Sequence, residues 1–97
     1  MRIFVSEYVC GGAWPEERIE TSLAREGRAM LTALVEDLAR LPCARVVTTW
    51  DARLGECPMR CDVRIVNSSA EEETVFRTLV RESAFVWIIA PETDQRL

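Results

Sequence analysis

Apolar residues follow two different periods along this chain, and the change from one period to the other predicts the order of its elements. Four short runs rich in β-branched and apolar residues are typical of strands: 2–9, 45–50, 62–66 and 84–90. Two longer segments, 22–41 and 69–83, repeat their apolar positions every three or four residues, which is typical of amphipathic helices. The predicted order is therefore β-α-β-β-α-β.

The ends of both predicted helices carry start and stop signals. Thr21 or Ser22 can accept hydrogen bonds from the free amides of the first helix, and Pro42 ends that helix. Ser69 and Glu72 have the spacing of a capping box at the start of the second helix. We therefore place the two helices at 22–41 and from 69 to about Ser83.

The last predicted strand sets the architecture, because 84–90 is apolar without alternation. Such a run is typical of a parallel strand that is covered on both faces. Right-handed crossovers then favour the strand order 3-2-1-4, with strands one and four as central neighbours and a helix on each face. Arg64 places strand three at an edge. We predict a three-layer, Rossmann-like α/β fold with a mostly parallel four-stranded sheet, forming one domain over 1–97.

Two loops are predicted to meet where the direction of winding reverses, and they hold the candidate substrate-binding residues. In open α/β sheets, ligands bind beyond the carboxyl ends of the strands at such a point. The candidates follow strand one and strand four: Glu7, Tyr8, Gly11, Gly12, Pro91 and Glu92.

Each candidate also has a purely structural interpretation. The two glycines would let backbone amides approach a carboxylate or phosphate, but a turn that needs positive φ would use glycine as well. Glu7 could bind a substrate ammonium, cap a neighbouring loop or pair with an arginine. Tyr8 could contact a ligand or pack at the rim, and Glu92 could contact a ligand or remain solvated.

Composition narrows the chemistry further. The chain has no histidine, and all twelve of its basic residues are arginines. The usual general base, the commonest metal ligand and any Schiff-base or P-loop lysine are therefore missing. A net charge of −4 with mixed signs argues against nucleic-acid or anionic-membrane partners. We find no signal peptide and no membrane span, and expect a cytoplasmic protein.

The four cysteines raise the alternative of a thiol or metal module, which we rank last. Cys57 and Cys61 have a spacing that zinc sites use. The topology, however, places Cys10 at the top of the sheet and Cys43 at the bottom with Cys61, so the cysteines should not converge. Cys43 and Cys61 could approach closely enough for an adventitious disulfide, but a reducing cytoplasm favours free thiols.

Several motifs, in order, resemble the start of a group of ATP-grasp proteins that includes tyramine–glutamate ligases and related carboxylate–amine ligases. These proteins open with a strand and E-Y-x-x-G-G, continue with an S-L-x-x-E-G-x-x-M-L helix, and reach a strand that ends near D-x-R-L. This chain carries the corresponding residues at 7–12, 22–31 and 51–54, and Ile89 to Glu92 resembles the group as well. It departs from the group's glycine turn at Cys10 and Ala13.

The resemblance implies a non-catalytic, substrate-side N-terminal domain of an ATP-dependent ligase that joins a carboxylate to an amine. ATP and Mg²⁺ would bind in later domains of the same polypeptide, and the glycine turn would help to hold a small carboxylate or amine substrate. Because strand four needs further cover, we expect the natural chain to continue beyond 97. The alternative is a free-standing α/β module that binds a small ligand or a protein, without enzymatic activity. A homodimer is left open in either case.

Overall fold

A computed structural model describes residues 1–15 and 17–90 and confirms the predicted element order. All four strands are parallel and lie in the order β3-β2-β1-β4. A 3-10 turn, Ala52–Leu54, follows the second strand. The helices and strands are β1 Arg2–Glu7, α1 Thr21–Ala39, β2 Arg45–Asp51, β3 Asp62–Val66, α2 Ser69–Glu82 and β4 Phe85–Ile89.

Alternate residues of β1 and β2 divide the core into two layers, one under each helix. Ile3 and Val5 belong to a cluster with Leu31 and Val35 of α1. Phe4, between them in the strand, packs instead with Leu79 of α2. Successive side chains of a strand point to opposite faces, so α1 and α2 cover opposite faces of the sheet. The predicted three-layer α/β arrangement is thereby confirmed.

Helix α1 begins one residue before the predicted position and α2 begins at Ser69 as predicted, but the N-cap of each helix lies before the expected residue. The N-cap of α1 is Glu20, whose carboxylate accepts hydrogen bonds from the amides of Ser22 and Leu23, while the Ser22 hydroxyl also donates to it. The N-cap of α2 is Ser68 rather than Ser69, and its hydroxyl accepts from the Glu71 amide. In each case a neighbouring oxygen satisfies the first-turn amides instead of the expected one.

The prediction that the last strand is a central strand covered on both faces is wrong for the described residues. β4 lies at the edge of the sheet, paired on one side with β1. Phe85 and Trp87 lie on the α1 face with 60% and 52% of their surface exposed. Val86 and Ile88 lie on the α2 face and are exposed too. Two helices are not wide enough to cover four strands, so the outermost apolar strand is left bare.

The tryptophans show the same effect of position in the sheet. Trp50, at the carboxyl end of β2, is fully buried. Trp87 is half exposed on β4. Trp14, in the loop after β1, is buried and its indole N–H donates to the Arg18 carbonyl oxygen.

Among the helices of the described ranges, none combines the length and the apolar character that crossing a bilayer requires.

Candidate functional site

The turn after β1 is organised around Glu7, the last residue of that strand. Its side chain is completely buried, and its Oε1 atom accepts a hydrogen bond of 2.7 Å from the Cys10 amide. Its backbone carbonyl accepts a second hydrogen bond, 2.8 Å long, from the Gly11 amide. One residue therefore closes the turn twice, once with its backbone and once with its side chain.

Gly27 of α1 lies directly over the Glu7 carboxylate. A Cβ atom built on Gly27 would lie 2.7 Å from Glu7 Oε2 and closer still to Oε1 and Cδ. Real Cβ atoms do not approach other heavy atoms so closely, so a glycine is required there for α1 to approach the sheet. The glutamate of the first motif and the glycine of the helix motif are thus two halves of one packing arrangement.

Gly11 and Gly12 are also enclosed, but by the α2 side of the sheet. A Cβ atom on Gly11 would lie 2.7 Å from both the Glu7 carbonyl oxygen and Thr49 Oγ1. Gly12 has a φ of +100°, and a Cβ atom there would lie 2.6 Å from Cγ1 of Val66. Tight packing therefore accounts for Gly11, and tight packing together with a positive φ accounts for Gly12. The Gly11 amide is already paired within the turn.

Asp51 and Arg53, from the D-x-R-L motif, tie the next loop to the end of β2. Asp51 is buried, and Arg53 donates to both of its carboxylate oxygens, with a shortest distance of 2.7 Å. The same guanidinium reaches over to the carbonyl oxygens of Trp14 and Glu17. The Asp51 amide also donates to the Cys10 carbonyl oxygen. We did not single out this pair from the sequence, although the motif that contains it was part of the resemblance.

The loops that follow β1 and β4 begin side by side, as predicted. The Tyr8 amide donates to the Ile89 carbonyl oxygen over 2.9 Å. Tyr8 is half-buried and its ring meets that of Trp14 edge to face at 6.2 Å. Pro91 and Glu92, the other half of the candidate site, lie outside the described residues. Because β4 is an edge strand, the described residues line the predicted crevice beyond β1 and β4 only on the β1 side.

Two buried polar atoms near the turn have no hydrogen-bond partner among the described residues, namely Glu7 Oε2 and Thr49 Oγ1. A buried polar atom without a partner is costly and uncommon. The two atoms belong to opposite faces of the sheet, since Glu7 lies under α1 and Thr49 lies on the α2 side. They do not form a single ligand site.

The four cysteines are free, and the burial of two of them changes their acidity. Burial, with the Glu7 carboxylate beside it, raises the pKa of the Cys10 thiol far above its usual range. Burial, with Cys57 and Asp62 nearby, raises the pKa of Cys61 to about 11. Both thiols are therefore protonated near neutral pH, which makes them poor nucleophiles. The described residues contain no group of three or more histidine, cysteine or acidic side chains able to hold a metal ion.

Comparison with known proteins gives one match. The family model of the pre ATP-grasp 3 domain matches residues 44–97, more than half of the chain. No curated protein and no solved structure matches the chain. The matched range takes in β2, β3, α2 and β4, including the Asp51–Arg53 pair and the exposed last strand. The chain belongs to the pre ATP-grasp 3 domain family, and is thus an N-terminal domain of the ATP-grasp superfamily.

Proposed function

We propose that this chain is the substrate-side N-terminal domain of an ATP-dependent carboxylate–amine ligase and contributes no catalytic residue of its own. The family match supports the ATP-grasp context. The motifs at 7–12, 22–31 and 51–54, which resemble those of tyramine–glutamate ligases and their relatives, support the ligase class. The observation that carries the proposal is the bare last strand.

The surface of β4 favours a domain that is built into a larger protein. A free-standing module should cover its own apolar strand, whereas β4 exposes four consecutive large apolar side chains on both faces of the sheet. No charged residue interrupts 84–90, although natural edge strands usually carry one to prevent unwanted pairing. We propose that later parts of the same polypeptide pack on β4 and make it an interior strand.

The chemistry of the proposed ligase lies outside this chain. In ATP-grasp ligases, ATP activates a carboxylate as an acyl phosphate, which an amine then attacks. The described residues do not fit a magnesium site, since no sufficient cluster of carboxylates is present. We therefore propose that ATP and Mg²⁺ bind to later domains, and that this domain binds and orients the substrate.

We propose that a small carboxylate or amine substrate contacts the loops after β1 and β4, at Tyr8, Pro91 and Glu92. Tyr8 is half-exposed where these loops begin, which suits a side chain that contacts a ligand. Glu7, Gly11 and Gly12 would support the loop from beneath, and a ligand ammonium could still satisfy Glu7 Oε2 if the loop opens.

Trp87 offers a direct test of the covered strand. It is the tryptophan that is half exposed, whereas Trp14 and Trp50 are buried. In the 97-residue chain we expect iodide to quench part of the tryptophan fluorescence, and Trp87→Phe to abolish that part. In the longer polypeptide encoded with it, we expect Trp87 to be protected from iodide.

Equal quenching in both proteins would contradict the proposal. If Trp87 of the 97-residue chain becomes protected from iodide as the protein concentration rises, a second copy of the chain covers β4. This result would then favour a self-contained homodimer over a ligase domain.

A second test distinguishes the two roles of Glu7 in the longer polypeptide. Glu7→Gln retains an oxygen acceptor for the Cys10 amide but removes the negative charge. If Oε2 binds a substrate ammonium, the KM for the amine should rise about tenfold while kcat stays within about twofold, because a charge-assisted hydrogen bond is lost. The measurement is ADP release that requires both a carboxylate and an amine. Glu36→Gln, at an exposed position of α1, is the control.

An unchanged KM for the amine would assign Glu7 to the loop structure alone. If ADP is released without an amine, whichever carboxylate is supplied, the result would argue against the ligase class.

A further inference from the structure

A groove lined by arginines runs along the start of α1, on the opposite side of β1 from β4. Its inner part is a cavity of about 210 Å³. A larger cavity adjoins it, sharing Thr21 and Leu54, and adds Arg18 and Arg53 to the lining. The inner cavity is lined by Thr21, Ala24, Arg25, Arg28, Trp50 and Leu54.

The sequence pattern of α1 explains why these side chains share one surface. Thr21, Ala24, Arg25 and Arg28 are spaced by three and four residues, so they form one stripe over the first two turns of the helix. The stripe faces Trp50 and Leu54, which come from the end of β2 and the turn after it. The groove therefore lies at the carboxyl edge of the sheet, on the β2 side of β1 and away from the switch point between β1 and β4.

Two acidic groups beside the groove, Glu20 and Asp51, already have partners, while Glu17 also lines the larger cavity. Glu20 accepts hydrogen bonds from the amides of Ser22 and Leu23 and from the Ser22 hydroxyl. Asp51 is held by Arg53. Arg25 and Arg28, by contrast, form no ion pair with any residue in the described ranges.

Two like charges three residues apart on a helix repel one another. An anion between them would remove that repulsion and accept the forked hydrogen bonds that guanidinium groups offer. The chain as a whole carries a net charge of −4, so this groove is a local exception to its acidic character.

From the groove, we propose that Arg25 and Arg28 bind a small oxyanion, a carboxylate or a phosphoryl group, with the Thr21 hydroxyl as a third donor. The apolar surface of Trp50 and Leu54 would contact the body of the molecule that bears the anion. The site is separate from the crevice between β1 and β4 and does not depend on how β4 is covered. In a ligase, it would hold a charged end of a substrate or nucleotide.

Titration of the 97-residue chain with inorganic phosphate and with acetate tests the site, with the arginine side-chain NMR signals as the readout. We expect saturable shifts for at least one anion. Arg25→Gln and Arg28→Gln should each weaken binding about tenfold, because each removes a charge-assisted hydrogen bond. Arg81→Gln, on the exposed surface of α2, changes the net charge equally and should leave the affinity unchanged.

The two anions distinguish the two sources of the ligand. Saturation by phosphate alone indicates a phosphoryl group, saturation by acetate alone indicates a carboxylate, and saturation by both indicates an oxyanion site without preference. Shifts that do not saturate, or an equal loss of affinity in all three variants, would overturn the proposal. The Trp87 quenching result has no bearing on this outcome, so the two proposals fail separately.

Discussion

Replacing Gly27 with alanine should lower the free energy of unfolding by about 3 kcal/mol, although glycine-to-alanine changes inside helices usually stabilise by about 1 kcal/mol. The sign reverses because the space over Gly27 is filled by the buried Glu7 carboxylate. Either α1 moves away from the sheet, or the carboxylate moves and the Cys10 amide loses its acceptor. Urea unfolding followed by circular dichroism measures the change.

A double-mutant cycle with Glu7→Ala identifies the cause. Glu7→Ala alone should destabilise, because the turn loses its side-chain acceptor. In the double variant the new Cβ has room, so the two changes should cost about 2 kcal/mol less than their sum. Additive losses would mean that Gly27 is required for a reason other than its contact with the Glu7 carboxylate.

Gly12→Ala should be the second most damaging change, and Gly55→Ala provides its matched control. Both glycines have positive φ, +100° and +79°, so alanine is strained by about 1–2 kcal/mol at each. A Cβ at Gly55 meets open space, whereas a Cβ at Gly12 overlaps Val66, a buried residue of β3. We expect a loss of about 1 kcal/mol for Gly55→Ala and about 3 kcal/mol for Gly12→Ala.

The difference between the two alanine variants in urea unfolding isolates the contact with β3. Equal losses would show that strain in the backbone accounts for both, and that Val66 gives way without cost. A large difference would establish that the turn after β1 is packed against the α2 side of the sheet.

The Glu7–Gly27 contact shows how far local pattern could go in predicting the site. The sequence indicated that Glu7 belongs to the candidate site near the end of strand one and that Gly27 belongs to the helix motif at 22–31. It did not indicate that the two meet, because twenty residues separate them and only the docking of α1 on the sheet brings them together. The loop contacts of Arg53 were missed for the same reason, because the carbonyl oxygens that its guanidinium reaches, at 14 and 17, lie in a different loop.

The N-cap residues of the two helices could be predicted from the sequence only to within one or two positions. Several oxygens stand next to each helix start, and a shift of one residue exchanges which oxygen faces the free amides. Glu20, rather than Thr21 or Ser22, is the N-cap of α1. Ser68, rather than Ser69, is the N-cap of α2. The backbone angles that decide between these residues are not specified by composition. Such differences leave the positions of the helices in the fold unchanged.

By itself, the sequence determined the order of the elements, the parallel sheet and its strand order, because apolar periodicity and the handedness of crossovers act locally and leave few alternatives. Only the tertiary structure decided which apolar residues are actually buried. β4 has the composition of an interior strand and the position of an edge strand, since burial depends on what packs against a strand and not on the strand's own residues.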